Sequence, residues 1–332
     1  MLVDIINGQI AKGAHVTYIV INNLIDESLL SKLDKRTDII RMDRKPGSNP
    51  LLLMWKLNSL IAKINPDIIH VHNHKLCRLI RRKRDRLLYT VHDINTTMKY
   101  TANVRMAAIT DAVESYIRQS RPDAKVATIL NGIRTQEIKP REDRPLPDTF
   151  RLVQVGRLTS RKKGQDILID AVGILKKRGI DNVEVTFIGD GPDYDCLKAR
   201  AASIGVSTRV HFAGLRDREY IYTTLKDYDA MCHPSRWEGF GLIIAEAMAA
   251  GLPLLVTAGD GPWEVADHGR LCISFTGDNP EACANAIQQL ISNYNEALRI
   301  AADGREFVAK YDISNTVDNY LKLYSAIIKG EF

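Results

Sequence analysis

A parallel α/β class is predicted for this 332-residue chain by two observations: strand-like and helix-like segments alternate along its whole length, and the alternation restarts after a polar, proline-punctuated connector. Parallel strands need crossover helices, so each half is expected to be a sheet covered by helices on both faces, doubly wound and Rossmann-like.

The elements follow in order. Residues 2–12 carry an amphipathic helical pattern, and strands are predicted near 15–22, 39–42, 68–72, 87–92 and 106–109. Helices fill the gaps, notably 50–64, where Leu52, Leu53, Trp55, Leu57, Leu60, Ile61 and Ile64 predict burial in a core rather than a place at a membrane surface. Asn131-Gly132 is a turn signal, and the stretch from Lys139 to Asp148, with Asp143 and Arg144 inside it, reads as the connector. The domain division is placed between residues 147 and 148. Strands are then predicted at 150–155, 183–188, 210–212, 230–233, 254–256 and 269–273. The last segment, 315–328, is an amphipathic helix with Val317, Tyr320, Leu321 and Tyr324 on one face, and it is a candidate to return to the first domain. No short-period repeat is present, which excludes a solenoid.

Composition bounds the function classes. Apolar content of 45% and charged content of 26% are ordinary for a globular protein, which argues against disorder. The longest apolar stretch, 239–257, is broken by Glu246 and Pro253, so an integral membrane protein is not expected; neither is a secretory signal, since residues 1–12 have no basic segment ahead of an apolar run. Five widely spaced cysteines without a Cys-x-x-Cys pair argue for a reducing compartment, with the cytoplasm the best fit, and against a zinc ribbon. Net charge is +6 but uneven: residues 1–148 hold 25 Lys and Arg against 16 Asp and Glu, and the remainder 21 against 24. The densest basic run, Lys75 to Arg86, alternates with apolar residues at helical spacing. A solvated helix face, anionic lipid headgroups and a lipid-linked substrate all fit it; nucleic acid lacks an accompanying recognition motif.

The most informative run is Arg236-Trp237-Glu238-Gly239-Phe240-Gly241-Leu242-Ile243-Ile244-Ala245-Glu246. Its glycines allow close backbone approach, and the apolar stretch after them reads as a buried helix whose first N–H groups suit an anion such as a pyrophosphate. Glu238 before the turn and Glu246 within the helix are placed to accept hydrogen bonds from sugar hydroxyls, which points to a nucleotide sugar. After the strand at 150–155, the loop Gly156-Arg157-Leu158-Thr159-Ser160-Arg161-Lys162-Lys163-Gly164 offers Arg157 and Lys163 to neutralise a diphosphate. Gly189-Asp190-Gly191-Pro192 is a tight turn, and the nearby Asp190, Asp193 and Asp195 lack the spacing of a calcium loop. His70, His72 and His74 alternate at a strand end and share a face, yet no further metal ligand accompanies them. His92 closes its strand where an imidazole can donate to a sugar hydroxyl or exchange a proton; a buried structural histidine is the competing reading.

Together these segments resemble the retaining GT-B glycosyltransferases of family 4. The resemblance is carried by Val155-Gly156-Arg157-Leu158 with Lys163-Gly164, Phe187-Ile188-Gly189-Asp190-Gly191-Pro192, Val210-His211-Phe212-Ala213-Gly214, His233-Pro234-Ser235, the Glu238 to Glu246 run, and Ala247-Met248-Ala249-Ala250-Gly251-Leu252-Pro253. In the first half, Pro66-Asp67-Ile68-Ile69-His70-Val71-His72, Thr90-Val91-His92 and Asn131-Gly132-Ile133 fall in the family's order. The resemblance implies an acceptor-binding domain over 1–147 and a donor-binding domain over 148–332, with the ligand in the cleft between them. It implies that Arg157 and Lys163 bind the donor diphosphate, with backbone N–H groups of Gly239, Phe240, Gly241 and Leu242 completing the cradle. Glu246 would hold the ribose, Glu238 the transferred sugar, the loop after Phe212 the base, and His92 the sugar near its reacting carbon. No metal and no cofactor are implied, the nucleotide sugar being a substrate, and retention would come from charge stabilisation and positioning.

Two departures are evident. Family members begin with a strand and a glycine-rich turn, whereas this sequence opens at the 2–12 helix, so the first domain is expected to lack its first, central strand. The Arg157 to Lys163 spacing is one residue longer than in many relatives, which keeps Lys162 as an alternative phosphate ligand. The expected activity is transfer of a hexose or N-acetylhexosamine from a nucleotide diphosphate sugar, UDP foremost, to an envelope polysaccharide or lipid-linked acceptor such as lipopolysaccharide or capsule. The site would lie at the inner face of the cell membrane, with the basic first domain toward anionic lipid. A nucleotide-sugar epimerase or hydrolase on the same fold, and an inactive nucleotide-sugar-binding subunit, are the alternatives.

Overall fold

The computed structural model describes residues 1–45, 47–99, 101–142 and 145–332, so Asp143 and Arg144 of the expected connector lie outside the described residues. The chain forms two compact units, Met1–Gly132 with Tyr311–Phe332, and Ile133–Lys310. This division precedes the connector expected at 147/148. The reason is local: Ile133 and Ile138 are buried, the Lys139 N–H donates to the Tyr222 carbonyl at 2.9 Å, and the Arg141 N–H donates to that of Ala250 at 2.8 Å. The Arg141 guanidinium also donates to the Tyr294 hydroxyl. The proline-punctuated segment therefore begins as part of the second unit.

In the first unit, β1 (Thr17–Asn22) and β2 (Asp38–Arg44) form a parallel pair, and β3 (Ile69–Val71), β4 (Leu87–Val91), β5 (Arg105–Ala108) and β6 (Val126–Thr128) form a parallel sheet in that order. Among the described residues no strand joins the two sheets. β4 is buried along its whole length, as expected of a strand covered on both faces. β6 has no counterpart in the sequence reading; it is three residues long, too short for a pattern. The helix Leu2–Ala11 packs on the helix Ile313–Lys329, which returns to this unit. Tyr320, Leu323 and Ile327 of the latter join Ile5, Leu88, Ala107 and Ile129 in one core, and the Thr316 hydroxyl donates to the Leu130 carbonyl at 2.9 Å.

The helix Pro50–Ile64 has the predicted bounds, with Asn49 capping the Leu51 N–H at 2.8 Å, Pro50 in the first turn and Asn65 left-handed at its end. Its burial differs from the expectation. Leu53, Leu57 and Ile61, four residues apart, form the buried stripe, whereas Leu51, Leu52 and Trp55 are 64%, 52% and 66% exposed. A one-stripe helix on a sheet covers only one of its faces.

The second unit holds β7 (Phe150–Val155), β8 (Val183–Ile188), β9 (Val210–Gly214), β10 (Ala230–His233), β11 (Leu254–Thr257) and β12 (Ile273–Phe275), all parallel, in the order β12-β11-β10-β7-β8-β9. This is the doubly wound order, with its switch point between β7 and β10. β12 begins only at Ile273, the last residue of the 269–273 stretch expected to form it. Residues 266–272 instead make a turn, with Asp267, His268 and Gly269 at positive φ, and its apolar Leu271 and Cys272 are buried without joining the sheet. The core is Phe150, Leu152, Val185 and Phe187 from the sheet against Leu168, Val172 and Ile287 from the helices.

Candidate functional site

Ligands of doubly wound sheets sit outside the carboxyl ends of the strands at the switch point. Here that point brings together the loop after β7, which carries Lys163, and the loop after β10, which carries Glu238. Lys163 ends the short helix Ser160–Lys163. Its Nζ lies 2.7 and 2.6 Å from the two carboxylate oxygens of Glu238. Glu238 also accepts from His233 Nε2 at 2.8 Å. Because a carboxylate only accepts, Nε2 carries the proton, and Ser235 Oγ lies 3.0 Å from the same nitrogen. The Glu238 backbone is held too, its N–H donating to Asp260 Oδ2 at 2.8 Å.

These contacts decide the charge. Burial opposes ionisation of Glu238, but the hydrogen bond and charge of His233 and the Lys163 ammonium outweigh it and hold the carboxyl far below its ordinary range. Glu238 is therefore a half-buried carboxylate that stays ionised. Lys163 is a lysine that reaches it. Arg157 is exposed at the head of the same loop, whose base is tied by Gln165 Nε2 donating to the Arg157 carbonyl at 2.9 Å.

The Gly239-Phe240-Gly241 turn follows Glu238. Gly241 has φ of 77° and stands as N-cap of the helix Leu242–Ala249, with no side chain capping its first N–H groups. Glycine there accepts the left-handed backbone without strain and leaves the helix start open to an anion. Phe240 is buried and anchors the turn. Glu246 lies in the second turn of the helix, and its environment is the reverse of that of Glu238. Burial raises its pKa to about 7, only partly offset by the charge of Arg218.

The Gly189-Asp190-Gly191 turn is structural. The Gly189 N–H donates to the Gly214 carbonyl at 2.9 Å and the Leu158 N–H to that of Asp190 at 3.0 Å. Asp193 accepts from the Ser160 N–H and hydroxyl at 2.7 and 2.6 Å. Among the described residues no group of three or more His, Cys, Asp or Glu is placed to hold a metal ion.

In the first unit, His92 is half-buried just past β4. The three alternating histidines do not share one strand: β3 ends at Val71, and His74 opens a short helix capped by Asn73. His70 and His72 remain on one face, beside His92. The sequence reading gave no role to His233, Ser235 or Asp260. His233 closing a strand ahead of proline was the available signal; Asp260, 22 residues from Glu238, had none.

The profile of Glycosyl transferases group 1 matches residues 135–307, and that of Glycosyltransferase Family 4 matches residues 1–137. The chain is 27% identical over 237 residues to D-inositol 3-phosphate glycosyltransferase of Corynebacterium urealyticum, covering 67% of this chain and 55% of that protein. It is 25% identical over 287 residues to the lipopolysaccharide core biosynthesis glycosyltransferase LpsD of Rhizobium meliloti, covering 85% of this chain and 81% of the relative. The crystal structure of Anabaena HepE in complex with UDP-glucose superimposes with a TM-score of 0.79 at 22% identity, over 98% of this chain and 94% of that one. The fold is thus GT-B, and the chain belongs to the family Glycosyl transferases group 1.

Proposed function

We propose that this protein transfers a hexose or N-acetylhexosamine from a UDP-sugar to an envelope polysaccharide or lipid-linked acceptor, with retention of configuration and without a divalent metal. The reading is carried by one observation: at the switch point of the second unit, an ammonium and an ionised carboxylate stand beside an uncapped helix start that has a second, uncharged-leaning carboxyl in its next turn. Lys163 and Arg157 neutralise the diphosphate as the bond from the anomeric carbon to the leaving phosphate oxygen breaks, and the N–H groups from Gly239 to Leu242 take its remaining charge. Glu238 accepts from hydroxyls of the transferred sugar, and Glu246 from the ribose. The acceptor oxygen forms the new bond, its proton passing to the leaving phosphate. His92 of the first unit is assigned to the transferred sugar. UDP as the nucleotide is supported by the UDP-glucose complex of HepE, and an envelope acceptor by the lipopolysaccharide role of LpsD.

The exposed Leu51, Leu52 and Trp55 support a peripheral place at the inner face of the membrane. Asn58 of the same helix accepts from the N–H groups of Arg81 and Arg82, which sets the basic run beside that apolar face. No helix among the described residues is long and apolar enough to cross a membrane.

The test is turnover of a panel of nucleotide sugars with and without EDTA, read with product anomer analysis, alongside binding to Glu246→Ala. Loss of donor affinity in the variant and transfer unaffected by EDTA are expected. Donor consumption without acceptor would mark an epimerase or hydrolase, binding without turnover would mark an inactive subunit, and unchanged affinity in Glu246→Ala would refute the donor assignment.

A further inference from the structure

The first unit contains a polar chain that ends at His92. β3 and β4 run parallel with His70 opposite Leu88, so His70 and His72 along one strand and Thr90 and His92 along the other share a face of the sheet. Tyr320 and Tyr324, one turn apart on the helix Ile313–Lys329, cover that face. Gln9 Nε2 donates to the Tyr324 hydroxyl at 3.2 Å. The Tyr324 O–H is then free to donate to His70 Nδ1, 2.7 Å away. His70 consequently carries its proton on Nε2 and donates to Thr90 Oγ1 at 2.7 Å. Thr90 Oγ1 lies 3.0 Å from the Tyr320 hydroxyl. His70 is thus held at both ring nitrogens by groups from two other elements, β4 and the C-terminal helix.

His72 rests on this anchored ring, with centroids 4.4 Å apart. On its other side it stacks on His92 at 5.2 Å and 25°, and its Nδ1 lies 3.0 Å from His92 Nε2. Burial lowers the pKa of each of the three rings, so the stack is neutral at pH 7 and the contact between His72 and His92 is a hydrogen bond sharing one proton. One nitrogen of His92 is therefore occupied by a ring packed between His70 and His92.

We propose that His72 is a positioning residue for His92: by engaging Nε2 it selects one tautomer and leaves Nδ1 as the ring nitrogen that His92 presents to substrate. The anchor for this arrangement is His70, locked by Tyr324 and Thr90. The inference rests on the assignment of His92 to the transfer reaction.

The test uses the full chain with ¹⁵N-labelled histidine. Long-range ¹H–¹⁵N spectra at pH 7.5 are expected to place His92 in a single neutral tautomer, which His72→Phe converts to the mixture of a free imidazole and His72→Gln, which retains a donor and an acceptor, largely preserves. In steady-state assays, His72→Phe is expected to lower kcat about tenfold with donor KM within about twofold, and His72→Gln to recover most of the loss. Normal turnover in His92→Asn would sink both the role of His92 and this inference. A loss in His92→Asn with an unchanged His92 tautomer and unchanged turnover in His72→Phe would sink this inference alone.

Discussion

The two units bury ionisable groups to opposite ends. At the switch point of the second, Glu238 is removed from water and remains charged, because Lys163 and His233 meet it directly. On the sheet of the first, His70, His72 and His92 are removed from water beside one another and become neutral. Burial penalises charge in both places; the partner decides whether the penalty wins. Ionised groups suit a ligand that brings countercharge, and neutral ones suit hydrogen bonding to an uncharged sugar.

The largest effect is expected at the charged site. Lys163→Ala should lower turnover about 10²-fold, measured as kcat/KM for the donor, because it removes the cation we assign to the diphosphate and leaves Glu238 without its closest countercharge. A loss below about threefold would break the contrast between the two units. Gly164→Ala comes next and acts on the fold. Gly164 has φ of 66°, and a Cβ there would collide with the Pro234 carbonyl oxygen, so the loop after β7 would be forced off that after β10. A destabilisation of about 1–3 kcal/mol in urea melts is expected.

The next predictions concern pH, where the units should respond with opposite signs. Glu246 has a folded pKa of about 7 against an ordinary 4.5. Between these values the folded state binds the extra proton, so stability falls as pH rises from 4.5 to 7 and levels off above. Glu246→Gln should therefore raise the melting temperature at pH 8 while changing little at pH 4. If Glu246 holds the ribose as proposed, donor affinity of the unsubstituted protein should rise through pH 7 as this carboxyl ionises. For the histidines the unfolded state takes the proton first: His72 has a folded pKa of about 4 against 6.5. The first unit should lose stability as pH falls from 6.5 toward 4, read by hydrogen exchange in β3 and β4, and His72→Phe should blunt that loss. The smallest effect is at the surface. Trp55→Ser should reduce sedimentation with vesicles containing anionic lipid several-fold without changing the melting temperature, since Trp55 is 66% exposed.

Legibility also divides the units. β7, β8 and β10 have the bounds read from the sequence, since each run stops at a glycine or a proline. The switch-point residues Lys163, Glu238 and Glu246 lie in or beside glycine-containing turns whose local chemistry announces them. β12 slipped because Leu271 and Cys272 look like strand but are buried in a turn, and the exposed face of Pro50–Ile64 was misread because apolar count does not say how many faces a helix buries. The link from His72 to His92 rests on pairing of β3 with β4, and its anchor on a helix more than two hundred residues away.

By itself, the sequence determined the α/β alternation and the family, because each depends on neighbours within a few positions of one another. Only the tertiary structure decided that Lys163 meets Glu238, that Asp260 holds its backbone, that the two carboxyls of one run differ in charge, and that His70 and His72 lie behind His92. Those outcomes depend on which distant groups remain within hydrogen-bond reach once water is excluded, and no local pattern encodes that distance.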